Sequence, residues 1–131
     1  MSFIVNPSFT KSDYLHTLDW LILYFPHAFS KKPKEIKPLK IGILEDIYAF
    51  YDSLRYPEIT KPAIKHAIQH YSSSTLYLAS QKENQARIDL YGHEVDVVSK
   101  EQAKYAEQRY EQKMAHRQKV DTPPTEEAAE S

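Results

Sequence analysis

Thr60–Gly92 reads TKPAIKHAIQHYSSSTLYLASQKENQARIDLYG. Thr60-Lys61-Pro62 is a helix start: a threonine side chain can accept a first-turn N–H, and proline is tolerated where no intrahelical N–H bond is made. Ala63, Ile64, Ala67, Ile68 and Tyr71 recur at helical spacing and predict a helix over 61–71 with a buried stripe. Lys61, Lys65 and Gln69 stand in one row on another side of it. Ser72, Ser73 and Ser74 break this helix and open a short one that runs from Ser74 to Ser80. From Arg87 to Val97 the alternation of Ile88 and Leu90, then Val95 and Val97, around Tyr91-Gly92-His93 predicts a small β-hairpin with its apolar face on the helices.

Working outward toward the N-terminus, Pro57 ends a helix predicted over 42–56, whose inner face is Ile43, Leu44, Ile47, Tyr48, Tyr51 and Leu54. Ser30–Pro38 carries Lys31, Lys32, Lys34 and Lys37 with prolines and reads as an exposed loop, either a solvated linker or a phosphate-contacting one. A first helix is predicted over 11–24, capped by Thr10 or Ser12, with Tyr14, Leu15, Leu18, Leu21, Ile22 and Phe25 inward and Pro26 as its stop. Phe3, Ile4, Val5 and Phe9 are apolar enough that the arm before it should pack on the body.

Toward the C-terminus, Ser99-Lys100-Glu101-Gln102 is a capping box, which opens a last helix to about Val120. Ala103, Ala106, Tyr110 and Met114 are its thin apolar row, so it is expected to project from the body or fray at its end. Pro123-Pro124 and the acidic residues after them read as disorder. The fold class is mainly α (α+β): a compact helical domain with one hairpin over 1–98, a C-terminal helix over 99–120 and a disordered acidic tail over 121–131.

The 131 residues fit one domain, and 41% hydrophobic content supports a modest core. With no cysteine, disulfides and thiolate metal sites are excluded, and a reducing compartment is compatible. The start MSFIVNPSF has no signal-peptide pattern, and the run Trp20–Phe25 is too short to span a bilayer, so a cytoplasmic location without membrane contact is expected. The formal net charge of −1 hides an asymmetry: residues 1–120 hold 17 basic and 14 acidic side chains, a mildly basic body before an acidic tail. That points weakly to a polyanion partner.

Enzymatic chemistry finds little support. Among six histidines, His66 and His70 have the spacing of two zinc ligands. Ala67 stands where the zincin pattern needs glutamate, and no third ligand is evident, so a solvated or RNA-facing pair is the better reading. There is no nucleophile elbow, and two glycines permit no phosphate-binding glycine loop. Glu45 and Asp46 are adjacent on a helix and diverge. No catalytic residue, metal or cofactor is expected.

An anion site fares better. A helix start offers free N–H groups and the positive end of a dipole, and Ser72–Ser74 add hydroxyls, although the serines could simply cap and turn. Lys61 and Lys65 suit backbone phosphates, and Arg87 could hold a phosphate or ribose edge as a fork. Tyr77 could stack on a base or donate to a 2′-hydroxyl, or be a core aromatic.

Phe25-Pro26-His27-Ala28-Phe29, Pro38-Leu39-Lys40-Ile41-Gly42-Ile43, Tyr71-Ser72-Ser73-Ser74 with Tyr77-Leu78, and Arg87-Ile88-Asp89-Leu90 with Gly92 resemble, in order and spacing, the FinO domain of the ProQ/FinO family of bacterial RNA chaperones. The resemblance covers roughly residues 10–95. It implies a monomeric RNA-binding protein that takes small regulatory RNAs and mRNA 3′ terminator hairpins, stabilises them and promotes sense–antisense pairing. It also implies a pocket for the terminal 3′ nucleotides. Residue by residue, Ser72, Ser73 and Ser74 would be the helix start at the phosphates, and Tyr77 and Arg87 the walls around the 3′-terminal ribose. Lys40 falls on the lysine of the P-L-K-I-G motif, and Lys61 and Lys65 on stem contacts. Gln69 stands where the longer relatives have arginine, and their basic linker and further domain are not seen in this sequence, which suggests a minimal, single-domain member. A different reading is a protein-interaction adaptor acting through the C-terminal helix.

Overall fold

The computed structural model describes residues 9–121. The expected acidic tail lies outside them except for Asp121, which ends the last helix rather than starting a disordered segment, and so does all of the N-terminal arm except Phe9. The elements are α1 (Lys11–Tyr24), α2 (Ile43–Asp52), α3 (Lys61–Ser72), α4 (Thr75–Ser80), β1 (Ala86–Ile88), β2 (Glu94–Val97) and α5 (Lys100–Asp121). A 3₁₀ turn, Pro33–Glu35, interrupts the lysine-rich loop. No described helix is long and apolar enough to cross a membrane.

Every described α-helix start except that of α2, where Gly42 stands with no side-chain cap, is written in its first residues. Thr10 Oγ1 accepts the Asp13 N–H at 3.1 Å while the Asp13 carboxylate accepts the Thr10 N–H at 2.9 Å, a reciprocal cap that makes Thr10 the N-cap of α1. The Thr10 backbone N–H, and after it the Thr10 hydroxyl, holds the Asp13 carboxyl below its ordinary range. Thr60 and Ser74 cap α3 and α4 the same way, each accepting the N–H three residues on. Ser99 and Gln102 complete the capping box of α5.

The core forms where α1, α2 and α3 meet. Leu18, Leu21, Phe25, Phe29, Ile47, Ile64, Ala67 and Tyr71 are buried in one cluster. The expected stripe of α1 faces the core, with Leu18, Leu21 and Phe25 buried and Tyr14 and Ile22 packed against them, except that Leu15 stays partly exposed and Trp20 is buried as well. Tyr71 meets Phe29 edge-on at 5.3 Å, and its hydroxyl is hydrogen-bonded to the Ser30 backbone. Burial pushes the Tyr71 phenol up to about 12.

Two expectations need correction. The second helix ends at Asp52, four residues before Tyr56, because the Ser53 hydroxyl captures the Phe50 carbonyl at 2.6 Å and diverts it from the helix ladder. The hairpin also does not lay a two-strand apolar face on the helices. Ile88, Leu90 and Val98 are buried, but every residue of β2 is exposed. What covers β1 is the segment around Leu39: the Ile88 N–H donates to the Pro38 carbonyl and the Lys40 N–H to the Ile88 carbonyl. Leu39 is therefore a third rung of the sheet, running parallel to β1. Along β2, Asp96 Oδ1 accepts the Val97 N–H, which blunts the open edge.

Gly92 is required by its turn. Its φ is +84°, and a Cβ there would lie 2.9 Å from His27 Cβ. This contact locks the hairpin turn against the segment that ends α1.

Candidate nucleic-acid interface

The backbone of Leu39 decides where the two expected pocket residues go. The Tyr77 hydroxyl accepts the Leu39 N–H at 3.0 Å, and Arg87 Nη1 donates to the Leu39 carbonyl at 2.9 Å. Both side chains are buried, Tyr77 at 7% and Arg87 at 6% exposure. Tyr77 thus combines the two readings open in the sequence: its ring is in the core, 5.9 Å from Tyr71, yet one side of it lines a cavity.

That cavity, of ≈ 400 Å³, lies between α3, α4, β1 and α5 and brings Ser72, Tyr77 and Arg87 together. Leu78, Gln81, Glu101, Gln102, Tyr105 and Ala106 complete it. Arg87 Nη2 donates to Gln81 Oε1 and to Gln102 Oε1, each at 3.1 Å. Among the described residues no carboxylate lies within ion-pairing distance of Arg87. Its Nε and the Gln81 Nε2 are buried without a hydrogen-bond partner. A buried guanidinium fed only by neutral oxygens, with a spare donor beside it, is a strong electrostatic attractor for an anionic or hydroxyl-bearing ligand.

The serines are less open than their composition suggests. The hydroxyls of Ser72, Ser73 and Ser74 each donate to a carbonyl three residues back, of Gln69, His70 and Tyr71. Ser74 also caps α4, and Ser72 reaches the cavity wall.

The lysines divide. Lys61 Nζ is 2.9 Å from Asp52 and lies over the Tyr48 and Tyr51 rings, which draws it back toward α2 and raises its pKa, chiefly through the Asp52 bond. Lys40 Nζ pairs with Asp46 at 2.7 Å, which raises it likewise. Lys65 is exposed and makes no ion pair among the described residues, and Gln69 beside it is exposed too. Of the loop lysines, Lys31 pairs with Asp19 and Lys32 with Glu35, leaving Lys34 and Lys37 exposed without a carboxylate within 4 Å among the described residues.

His66 and His70 are neither a metal pair nor simply solvated. Phe9 stacks on His66 at 4.7 Å, and Tyr14 covers His70 at 4.0 Å. The described residues hold no cluster of three metal-ligating side chains.

Two cavity residues were not legible as such. Gln102 reads from sequence as half of a capping box and nothing more. Tyr105 carries a faint signal: it sits one helical turn after Gln102 on the same face of α5.

A family model described as "ProQ/FINO family" matches residues 12–122. The chain belongs to the ProQ/FinO family. Its ProQ/FinO relatives include an "RNA chaperone ProQ" from Alteromonas mediterranea, 38% identical over 92 residues that cover 70% of this chain and 40% of that protein. Another from Idiomarina loihiensis is 32% identical over 73% of this chain and 45% of that protein. The chain thus spans less than half the length of these relatives. Among solved structures, a ProQ homolog from Legionella pneumophila superposes with a TM-score of 0.68 and 49% identity, over 85% of this chain and 91% of that one. A FinO-like RNA chaperone from Neisseria meningitidis matches at 20% identity with a TM-score of 0.59, over 80% and 87% of the two chains, which is a likeness of ProQ/FinO fold.

Proposed function

We propose that this chain is a non-enzymatic, cytoplasmic RNA chaperone that holds the free 3′ end of a terminator-like hairpin, a stem followed by a single-stranded U-rich tail. The observation that carries the reading is Arg87: a buried guanidinium with no carboxylate ion-paired to it among the described residues, one unfilled donor and a cavity of nucleoside size beside it. Tyr77 and Ser72 would close the cavity around the terminal ribose, with Ser73 and Ser74 at the turn along which the preceding phosphates run. Lys65 would meet the stem backbone directly. Lys61 and Lys40 would do so by exchanging Asp52 and Asp46 for phosphate, and Gln69 would add a hydrogen bond but no charge. The relatives named RNA chaperone ProQ support the RNA partner class. Small regulatory RNAs and mRNA 3′ hairpins would be stabilised and brought to pairing by being held, without nucleotide hydrolysis.

The test is a titration of the protein with one hairpin carrying a free 3′-hydroxyl, a 3′-phosphate, or a few added 3′ nucleotides. Affinity should fall markedly for the blocked end. Equal affinity for the free and phosphorylated ends would overturn the end-binding reading. The adaptor alternative loses its motivating surface, since Ala103, Tyr110 and Met114 are half-buried and Ala106 is buried in packing α5 on the body.

A further inference from the structure

α5 is mostly polar, and only its first turns touch the cavity. Gln102, Tyr105 and Ala106 fall on one face by helical spacing. Ala106 is buried, and Gln102 is tied at once to the Ser99 N–H at 2.9 Å and to Arg87 at 3.1 Å. Tyr105, on the same wall, is different. Its ring is 64% exposed, lines the same cavity as Arg87, and makes no ring contact or hydrogen bond among the described residues. A large aromatic left bare at the lip of a concave site is the arrangement that base stacking uses.

Two further observations say what would lie against it. Arg87 and Gln81 stand in the cavity wall and each carries a buried donor without an acceptor, Arg87 Nε and Gln81 Nε2, so this wall suits an occupant that brings oxygen acceptors inward. Tyr77, the aromatic that the sequence offered for stacking, has its ring in the core and its hydroxyl engaged by Leu39. A nucleotide whose sugar oxygens face the Arg87 and Gln81 wall would leave its base at the lip, beside Tyr105. The tyrosine ring loses little conformational freedom on binding, and α5 is anchored one turn earlier through Gln102.

We propose that Tyr105 is the stacking platform for the base of the 3′-terminal nucleotide, a role that rests on the end-binding reading above and makes α5 part of the RNA site. Because every base has a π-face, the platform is tolerant of sequence but not of a missing base.

The experiment titrates wild-type protein and Tyr105→Ala with two forms of one hairpin, ending in an ordinary nucleotide or in an abasic ribose. Wild type should lose about tenfold in affinity for the abasic end, and Tyr105→Ala should lose about tenfold for the ordinary end. Tyr105→Ala should then no longer distinguish the two ends, while Tyr105→Phe and Tyr105→Trp keep the discrimination. If Tyr105→Ala still prefers the ordinary end by the wild-type factor, Tyr105 is not the platform. If wild type is indifferent to a 3′-phosphate, the end-binding reading itself has failed. Since Tyr105 is exposed, an unchanged circular dichroism spectrum is expected for all three variants.

Discussion

Arg87 Nη2 and Gln102 Oε1 are 3.1 Å apart, and the same Gln102 oxygen accepts the Ser99 N–H that starts α5. One carbonyl oxygen therefore fixes both the arginine of the cavity and the first turn of the helix that walls it. Gln102→Ala should cost about 1–2 kcal/mol, since it removes half of a capping box and leaves a buried donor short of a partner. Gln102→Glu separates structure from binding. The carboxylate can still accept from Ser99 and Arg87, so the thermal midpoint should hold or rise, but it neutralises the charge that attracts RNA. Hairpin affinity falling while stability is kept is the expected pair of results from thermal unfolding and anisotropy titration. Affinity unchanged in Gln102→Glu would show that the Arg87 charge does not face ligand.

The split among the lysines makes a second prediction. Lys65→Ala should lower the slope of log affinity against log salt by about one, with little dependence on RNA sequence. Lys61 starts from a different state, held by Asp52 at 2.9 Å. Asp52→Asn frees Lys61 and removes a nearby negative charge, so RNA should bind about twofold tighter at low salt, with stability changed by no more than about 1 kcal/mol because the pair is exposed. A weaker complex for Asp52→Asn would mean that the pair orients Lys61 for RNA rather than withholding it.

These effects mark what could be read in the chain and what could not. The helix starts were legible because a cap is local: Thr10, Thr60, Ser74 and Ser99 each bond within three residues. The end of α2 was not, since Ser53 competes for a carbonyl that periodicity assigns to the helix. Exposure of β2 was hidden because Val95 and Val97 alternate as a half-buried strand should, while the cover they would need goes instead to β1 through Leu39. The cavity was half legible. Ser72, Tyr77 and Arg87 stood in the sequence as polar groups near one another, but their fates depend on Leu39, 38 residues from Tyr77 and 48 from Arg87. Lys61 looked free because its carboxylate, Asp52, comes from another helix, and Lys40 because Asp46 stands six residues on, in the helix that follows it.

Gly92 offers a test of the fold alone. Gly92→Ala meets a left-handed φ of +84° and His27 Cβ at 2.9 Å, so the turn or the His27 segment must move. The expected loss is about 1–3 kcal/mol, read as a lower thermal midpoint. His27→Gly, which removes the Cβ that the new side chain meets, should recover only the steric part when compared with His27→Gly alone, because the backbone penalty at position 92 is left in place. Full recovery would show that the turn has no conformational requirement for glycine.

The last prediction concerns pH. His70 titrates below its ordinary value of 6.5, first because burial disfavours the charged ring, then because His66 and Lys113 repel it. The folded state therefore holds the neutral form, while the unfolded chain takes up a proton as the pH falls through the ordinary value. In that window the unfolded state binds more protons, so stability declines as the medium becomes more acidic, and the decline from this group stops once folded His70 is itself protonated. His70→Gln removes the titration. The thermal midpoint of wild type should fall relative to His70→Gln between about pH 7.5 and about pH 5.5, with the two curves parallel above that range. Parallel curves throughout would mean that His70 keeps an ordinary titration under the Tyr14 ring.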